Sequence, residues 1–479
     1  MQNKRSSAPP MHLRSSALVG FCALVLAACQ HVERAPIDPA ANAARLDERS
    51  LDDPTVQAAL ERHAEAAAPG TDWSLDQLTL AAWALRTDVA VARAEVDAAR
   101  AATGLAARRP DPVLRSPNEK VISDTLGSPW VLAAEVAFTL ELGGKREIRR
   151  QRALAEQAVL GWRLGEILWS ARAEVRAGLL EHTFARLRLA LDEDEVMLRR
   201  AYLAWVETRF ARGAATAQER LLALEALGTI ESRRELDGAA LAKSSATLAA
   251  AIGVSSRALG RVEPRLPPVD DLPSVVPSDL NAARDLAISN RLDIRRALAE
   301  YEIAEQDLRA AVASQYPDLS LVPGYLVDQG DHKIALGFEL PLPLRNSSDA
   351  RIARAVAART VAAARFDQVQ STALAEIDIG FVQYQATLRA LAAAIEAEQE
   401  TEGALAAAQR RLTAGAADRG ELLGTQVALI TRSRNTLDAR RAVLEAVTAL
   451  EHGVERPLYP PSSLDTAAEL EELLVGPGP

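Results

Sequence analysis

The feature that most constrains this chain is an internal duplication, in which one pattern of residues occurs twice about 200 positions apart. The clearest match joins residues 209–227 to residues 411–429, and it aligns Gly213 with Gly415. The shorter matches are 86–89 with 291–294, 138–140 with 338–340 and 149–152 with 351–354. Solenoid repeats have much shorter periods. The sequence therefore predicts one architecture that is present twice in a single chain.

The N-terminus has the organisation of an export signal. Three basic residues precede an apolar run over residues 17–28. This run is too short to remain as a membrane-spanning helix and suits the core of a signal peptide. It ends in Leu26-Ala-Ala-Cys29, which resembles a bacterial lipobox. We therefore predict a signal peptide over residues 1–28 and acylation of Cys29. The alternative is an ordinary signal peptide, or a simple anchor, with an incidental cysteine.

Cysteine usage and the residue after Cys29 restrict where in the cell the mature chain is expected. Cys22 lies inside the predicted signal, so the mature chain would hold Cys29 alone, and neither a disulfide nor a thiolate metal cluster is available to it. Gln30, rather than aspartate, follows Cys29, which in lipoproteins resembles release to the outer membrane. A single lipid is a weak anchor. Stable outer-membrane residence therefore requires a second membrane-binding feature.

Composition excludes several function classes. The formal charge is −10, and loss of the three basic residues of the signal makes it more negative, which argues against nucleic acid as a partner. Aromatic residues make up only 4% of the chain. No second apolar run approaches the length of a membrane-spanning helix. Abundant Ala, Leu, Arg and Glu predict long packed helices instead.

Proline and glycine positions predict the boundaries of the two repeats. Each repeat has a shorter helix, a strand pair, a helix of roughly 70 residues that spans on the order of 100 Å, and another shorter helix. The predicted helices are 74–109, 144–212 and 216–252 in the first repeat and 278–315, 346–413 and 418–452 in the second. The predicted regions are an N-terminal segment 29–73, a first repeat 74–253, a Pro-rich linker 254–277, a second repeat 278–453 and a tail 454–479.

The strand candidates lie between the first and second helix of each repeat. They are 112–123 and 130–142 in the first repeat and 317–327 and 332–341 in the second. Apolar and polar residues alternate in the later strand of each pair, which a membrane barrel strand requires and a half-buried soluble sheet also shows. On the membrane reading the lipid-facing residues are Trp130, Val136, Phe138, Ile334, Leu336 and Phe338, and the lumen residues are Glu135, Glu141, Lys333 and Glu339.

Four strands are too few to close a barrel. An open strand edge in lipid leaves backbone groups without partners, at a cost of several kcal/mol each. A chain with this pattern must therefore share its barrel with copies of itself, and three copies supply twelve strands.

The duplicated Arg-[Phe/Leu]-x-x-Gly-Ala-Ala-[Thr/Asp] turns, the doubled helix–strand–strand–helix plan and the lipobox together resemble the TolC-like outer-membrane efflux proteins. This resemblance covers essentially the whole mature chain. The stretch Leu140-Glu-Leu-Gly-Gly-Lys-Arg146 looks like the signature of the CzcC-type branch, which serves heavy-metal efflux pumps. The stretch Leu340-Pro-Leu-Pro-Leu-Arg-Asn346 is similar to that family's exit from strand to helix.

The resemblance implies a mainly α fold with a membrane β-barrel, in which a homotrimer forms a twelve-stranded barrel on a long periplasmic α-helical tunnel. It implies three kinds of partner: a periplasmic adaptor, an inner-membrane pump of the resistance-nodulation-division type, and outer-membrane lipids. The Gly-Ala-Ala turns would form the periplasmic entrance and dock the adaptor. Gly213 and Gly415 fit a left-handed position at a helix end, where a side chain would be strained. The residues concerned are Arg209, Gly213, Thr216, Arg411, Gly415 and Asp418, and the acidic ring of the entrance would be Glu219 and Glu421.

Enzyme chemistry finds no support in the residues. The six histidines are scattered without the spacing of a ligand set. The glycines of Gly143-Gly144-Lys145 lack the rest of a phosphate-binding loop and suit a sharp exit from strand to helix. The sequence predicts no catalytic residue, no resident metal and no cofactor. The remaining alternatives are an exit duct and a periplasmic coiled-coil scaffold or spacer lipoprotein, and the strand pairs favour the duct.

Overall fold

The structure is a computed structural model that describes residues 32–63, 72–120, 122, 130–266, 279–328, 331–342, 348–459 and 464. The predicted signal peptide, Cys29, residues 267–277 of the predicted linker and most of the tail lie outside these residues. The chain divides into two compact units, residues 1–48 and 49–479. In the first, helix α1 (Pro39–Asp47) begins at Asp38, whose carboxylate accepts a hydrogen bond from the Ala40 amide.

The second unit contains both repeats. The elements of the first are α2 (Pro54–Arg62), β1 (Asp72–Trp73), α3 (Leu75–Leu85), α4 (Thr87–Ala106), β2 (Val113–Arg115), β3 (Glu119–Lys120), β4 (Trp130–Leu140), α5 (Lys145–Ala211), α6 (Ala217–Ile252), α7 (Ser256–Leu259) and β5 (Glu263–Pro264). The elements of the second are α8 (Leu280–Asn290), α9 (Leu292–Ala313), β6 (Leu319–Asp328), β7 (Asp331–Glu339), α10 (Ser348–Thr413) and α11 (Arg419–Val454).

The first predicted helix of each repeat is broken in two. The sequence predicts continuous helices over 74–109 and 278–315, whereas the structure ends α3 and α8 at Arg86 and Arg291 and starts α4 and α9 immediately afterwards. Both arginines have extended backbone, with ψ of 134° and 125°. Each break falls in the duplicated Arg-x-Asp motif. At that arginine the chain turns a corner between two consecutive helices.

The side chains of the two arginines anchor these corners in the same way. The Arg86 guanidinium donates to Asp88, to Glu174 of α5 at 2.5 Å and to the Ala251 carbonyl of α6 at 3.1 Å. In the second repeat the three acceptors of Arg291 are Asp293, Glu376 and the Gly453 carbonyl. A planar guanidinium with several fixed donors suits such a junction. Each corner therefore ties both shorter helices to the long helix.

The long helices are the axis of each repeat. Helix α5 has 67 residues and α10 has 66, and each reaches about 100 Å. Within each repeat the long helix packs against its C-terminal partner where a glycine faces a leucine. A Cβ added at Gly178 would lie 3.2 Å from Leu248, and one added at Gly380 would lie 3.1 Å from Leu450. The two repeats thus share their packing register as well as their sequence pattern.

The strands of the two repeats form one antiparallel sheet. Its order is β2-β4-β6-β7, and β3 also pairs with β4. The strand predicted over 112–123 is two short strands, β2 and β3, because residues 116–118 leave the ladder. Strand β6 runs through Pro323 and Gly324, although both residue types are unfavourable inside a strand. Strand β4 ends at Leu140 rather than 142.

No helix in the described part of the chain is long and apolar enough to span a bilayer.

Glu455, which follows the C-terminal end of α11, places a half-buried carboxylate at the start of α9. Glu455 has a φ of 46°, and its side chain accepts a 2.6 Å hydrogen bond from the Leu292 amide at the start of α9. Burial raises the pKa of Glu455 to about 7, with smaller raising effects from Asp293 and Glu166, while the Leu292 amide and Arg291 act to lower it. The folded chain therefore binds a proton at this site more tightly than the unfolded chain does.

We predict that the stability of the wild-type protein falls as pH rises from about 4.5 to about 7. Over this window the unfolded chain has already released the proton that the folded chain keeps, and the loss amounts to at most about 3 kcal/mol. Glu455→Gln should flatten this part of the profile of melting temperature against pH. An unchanged pH dependence in the Gln variant would show that Glu455 does not titrate in this range.

Candidate functional site

The sheet has one continuous apolar face. In the ladder Phe138 pairs with Leu321, which pairs with Phe338, and Ala134 pairs with Tyr325, which pairs with Ile334. The exposed fractions are 46% for Phe138, 74% for Phe338 and 90% for Ile334. The predicted lipid-facing residues Trp130, Val136, Phe138, Ile334, Leu336 and Phe338 lie on this face. Val136 is half-buried and pairs with Leu114 of β2.

The opposite face is polar and concave. Glu135, Lys333 and Glu339 lie on it, and Lys333 donates to Asp328 at 2.7 Å. Arg115 of β2 forms a 3.0 Å ion pair with Glu339 of β7. These residues stand at opposite edges of the sheet, three strand spacings of about 4.8 Å apart. The contact therefore requires that the sheet curve toward its polar side.

Glu141 was predicted as a fourth residue of this face, but it lies just beyond the end of β4. Its carboxylate accepts hydrogen bonds from the Arg149 guanidinium in the first turns of α5, with Oε2 3.0 Å from Nη2, and its side chain is only 11% exposed. The same Arg149 donates to the Arg108 carbonyl. Glu141 therefore fixes the strand end to two helices.

The Gly-Gly-Lys motif forms the exit from β4 into α5. Gly143 and Gly144 have φ values of 71° and 72°, a left-handed conformation that residues with a Cβ adopt at a cost. Lys145 then donates to the Tyr316 carbonyl at 2.7 Å and to Asp318 at 2.8 Å. The predicted sharp exit is confirmed. The lysine holds the first repeat to the segment that leads into β6.

The first Gly-Ala-Ala turn closes the α5–α6 hairpin. Gly213 has a φ of 71°, and the Ala214 amide donates to the Arg209 carbonyl at 2.8 Å, which is the Schellman arrangement for a helix end. Thr216 and Glu219 then form a capping box at the start of α6. The hydrogen bond from the Thr216 amide lowers the pKa of Glu219. Glu219 is therefore part of the cap as well as an exposed acid.

The second turn repeats this geometry between α10 and α11. Gly415 has a φ of 69°, and the Ala416 amide donates to the Arg411 carbonyl at 2.8 Å. Asp418 caps α11 by accepting from the Glu421 amide at 2.9 Å. Glu421 differs from its counterpart because it forms a two-contact ion pair with Arg411, at 2.7 and 3.0 Å. Both glycines have the left-handed conformation that the sequence predicted.

Trp205 joins the two hairpin ends, and sequence reasoning missed it. A Cβ added at Gly420 would lie 2.2 Å from the Trp205 ring, so the indole of α5 packs directly on the backbone of α11. The Arg209 guanidinium lies over the same ring at 4.7 Å. Gly420 aligns with Gln218 in the first repeat, so the duplication gives no signal for this contact.

A groove of about 360 Å³ lies beside this contact, between α5, α6 and α11. Arg199, Tyr202, Leu222 and Val427 are among its lining residues. In the part of the chain that the structure describes, no three His, Cys, Asp or Glu side chains are grouped to hold a metal ion.

Comparison with known proteins places this fold. Residues 283–452 match the family model of outer membrane efflux proteins. The structure is similar to the outer-membrane channel OprN, with 19% identity, a TM-score of 0.67 and coverage of 90% of this chain and 99% of that one. It is similar to the outer membrane protein VceC of Vibrio cholerae, with 20% identity, a TM-score of 0.65 and coverage of 80% and 96%. For the Campylobacter jejuni CmeC outer membrane channel the identity is 12%, the TM-score 0.66 and the coverage 93% and 97%. No curated protein matches the chain.

A duplicated hairpin of long helices with one shared sheet is thus the architecture of outer-membrane channel proteins. Within the chain, residues 283–452 match the outer membrane efflux protein family, and the fold as a whole is that of the solved channels.

We predict that Gly420→Ala lowers the unfolding free energy by about 1–3 kcal/mol, the usual cost of overpacking, because its Cβ would clash with Trp205. Gly424→Ala is the matched control, since a Cβ there meets nothing within 4 Å and alanine favours helix. Thermal unfolding should show a lower midpoint for the first variant only. Equal midpoints would mean that Trp205 does not pack on this glycine.

Proposed function

We propose that the protein is the outer-membrane exit duct of a tripartite efflux system and that three copies build one channel. The observation that carries this proposal is the apolar face that continues across β4, β6 and β7. Among the described residues β7 pairs only with β6, so its outer edge is open. Such an edge in lipid needs a partner strand. With β2 and β3 counted as one interrupted strand, three copies supply twelve strands around the concave polar side.

We propose that two features bind this channel to the membrane. The sheet supplies the main membrane affinity, and the lipid on Cys29 adds to it. The protein would then reside in the outer membrane with its helices in the periplasm. The length of α5 and α10, about 100 Å, supports a role that crosses a distance.

The proposed entrance lies at the Gly-Ala-Ala turns. Each turn is at the end of a long helix that is farthest from the sheet. Three copies would bring six turns together at the periplasmic mouth. Arg209, Gly213 and Thr216 of one turn, with Arg411, Gly415 and Asp418 of the other, would present the docking surface to an adaptor protein. An inner-membrane pump of the resistance-nodulation-division type would supply the cargo.

Heavy-metal cations are the proposed cargo. The support is the stretch 140–146, which resembles the CzcC-type signature. We expect the pump to select the cargo, because a duct passes its cargo without binding it tightly. Deletion of the protein from its host should reduce tolerance to metal salts more than tolerance to organic toxins.

The mass of the detergent-solubilised protein tests the proposed assembly. A channel requires a stable trimer, whereas a scaffold or spacer lipoprotein has no need of one. A stable monomer, measured by light scattering with correction for bound detergent, would sink the shared barrel and favour the scaffold.

We predict that Phe338→Arg destabilises the membrane-inserted protein by about 2–4 kcal/mol if the site lies near the bilayer midplane. The side chain of Phe338 is 74% exposed on the apolar face. Thr139→Arg is the matched control, because Thr139 pairs with Ser320 on the polar face. Urea unfolding from liposomes should separate the two variants. If both behave alike, the apolar face does not meet lipid.

We predict that Glu421→Gln lowers cation selectivity more than Glu219→Gln does. Loss of the Glu421 charge leaves its partner Arg411 uncompensated, so the mouth gains positive potential. Glutamine at 219 can keep the capping box, so that variant tests charge alone. Reversal potentials in asymmetric salt measure the effect. Wild-type selectivity in both variants would place the constriction elsewhere.

A further inference from the structure

A single seam of charged side chains joins the two hairpins within one chain. Helix α5 of the first repeat runs antiparallel to α11 of the second. From the end near the sheet toward the turns, the paired positions are Arg172 and Arg176 with Glu451, Glu181 with Arg441 at 2.7 Å, Arg188 with Asp438 at 2.7 Å, Asp192 with Arg434, and Trp205 with Gly420. We call this set of contacts the inner seam.

The duplication allows each position of the inner seam to be transferred to the other pair of helices. The shift is 202 residues, from Gly213 to Gly415, which have matching left-handed φ values. The same shift carries the Gly178–Leu248 contact onto Gly380–Leu450. Helix α10 therefore corresponds to α5, and α6 corresponds to α11, along their whole length.

The inner seam has three charge pairs in its middle. None of them is present at the corresponding positions of α10 and α6. On α10, Gln383, Ala390 and Ala394 replace Glu181, Arg188 and Asp192. On α6, Ala239, Leu236 and Ser232 replace Arg441, Asp438 and Arg434. These six positions are uncharged, and four of the residues are small.

Five of the six replacing residues are exposed within the chain, and Ala394 is half-buried. Leu236 is 70% exposed in the position of Asp438. Leu180 is buried in the core between the repeats, with 4% exposed, while its counterpart Val382 on α10 is 64% exposed. Apolar side chains at seam positions thus face outward on both α6 and α10.

We propose that α6 of one copy packs against α10 of the next copy in the register of the inner seam, an arrangement we call the outer seam, and that the six positions that correspond to the middle charge pairs meet there without charge. The occupant is a second copy of this chain, because only a copy offers an α10 face that matches α6 residue by residue. The inference rests on the proposed trimeric channel. It adds which residues meet: Ser232 with Ala394, Leu236 with Ala390, and Ala239 with Gln383.

The difference between the seams follows from their chemistry. Ion pairs fix the register of the inner seam because a slip would leave charges unpaired. Small side chains allow the helices of the outer seam to approach closely, and Leu236 and Val382 gain burial at about 25 cal/mol per Å². At these six positions assembly between copies therefore buries no charged group.

Cysteine cross-linking tests the outer seam directly. The double variants are Ser232→Cys with Ala394→Cys, and Ala239→Cys with Gln383→Cys, in the full chain solubilised from membranes. A short bis-maleimide should convert each into covalent trimers on a denaturing gel, because every copy links to both neighbours. The matching single variants should stay monomeric on the gel.

The inner seam supplies the matched control. Arg188→Cys with Asp438→Cys should link within one chain and leave the mass on the gel unchanged. If both outer pairs remain monomeric in protein whose native mass is that of a trimer, the outer seam is wrong while the channel stands. If the wild-type native mass is that of a monomer, the proposed function fails first.

Discussion

Backbone hydrogen bonding is the constraint on which the proposed membrane sheet depends, because lipid offers no water to pair with a free strand edge. The sheet pairs the strands of both repeats through β4 and β6, so one chain satisfies its inner strands by itself. Among the residues that the structure describes, the outer edge of β7 has no partner strand. An apolar face and an open edge are compatible in lipid only if another strand completes the ladder. In the proposed channel the duplication joins the strands within each chain, and association of copies would complete the ladder at its edges.

Buried ion pairs hold the long helix α5 of the first repeat to α11 of the second. Arg172 and Arg176 meet Glu451 with both arginines only 2% exposed, and Asp192 is fully buried. Buried ion pairs contribute little net stability, but removal of one partner costs several kcal/mol. Their effect here is to specify one register between α5 and α11. At the end of the hairpins that is farthest from the sheet, the packing of the Trp205 ring on Gly420 specifies the register by steric fit. The two hairpins of one chain are thereby held as one body down to their turns.

The sequence allowed prediction of the elements that are duplicated. Gly213 and Gly415 required left-handed backbone, and the alternation in β4 and β7 separated the two faces of the sheet. The helix breaks at Arg86 and Arg291 escaped prediction because arginine favours helix, and the extended backbone there depends on distant acceptors such as Glu174. The role of Gly420 escaped because it has no counterpart in the first repeat. Glu141 continues the alternation of polar and apolar residues, and for that reason it was predicted to lie on the polar face. Its position is set instead by the ion pair with Arg149 on the next helix.

Single-channel recording of the purified protein in planar lipid bilayers tests the central claim most directly. The account predicts discrete, uniform conductance steps, because a barrel of fixed strand number has one pore size. Insertion of folded protein without any conductance step, or steps of continuously varying size, would contradict a closed barrel shared by three copies.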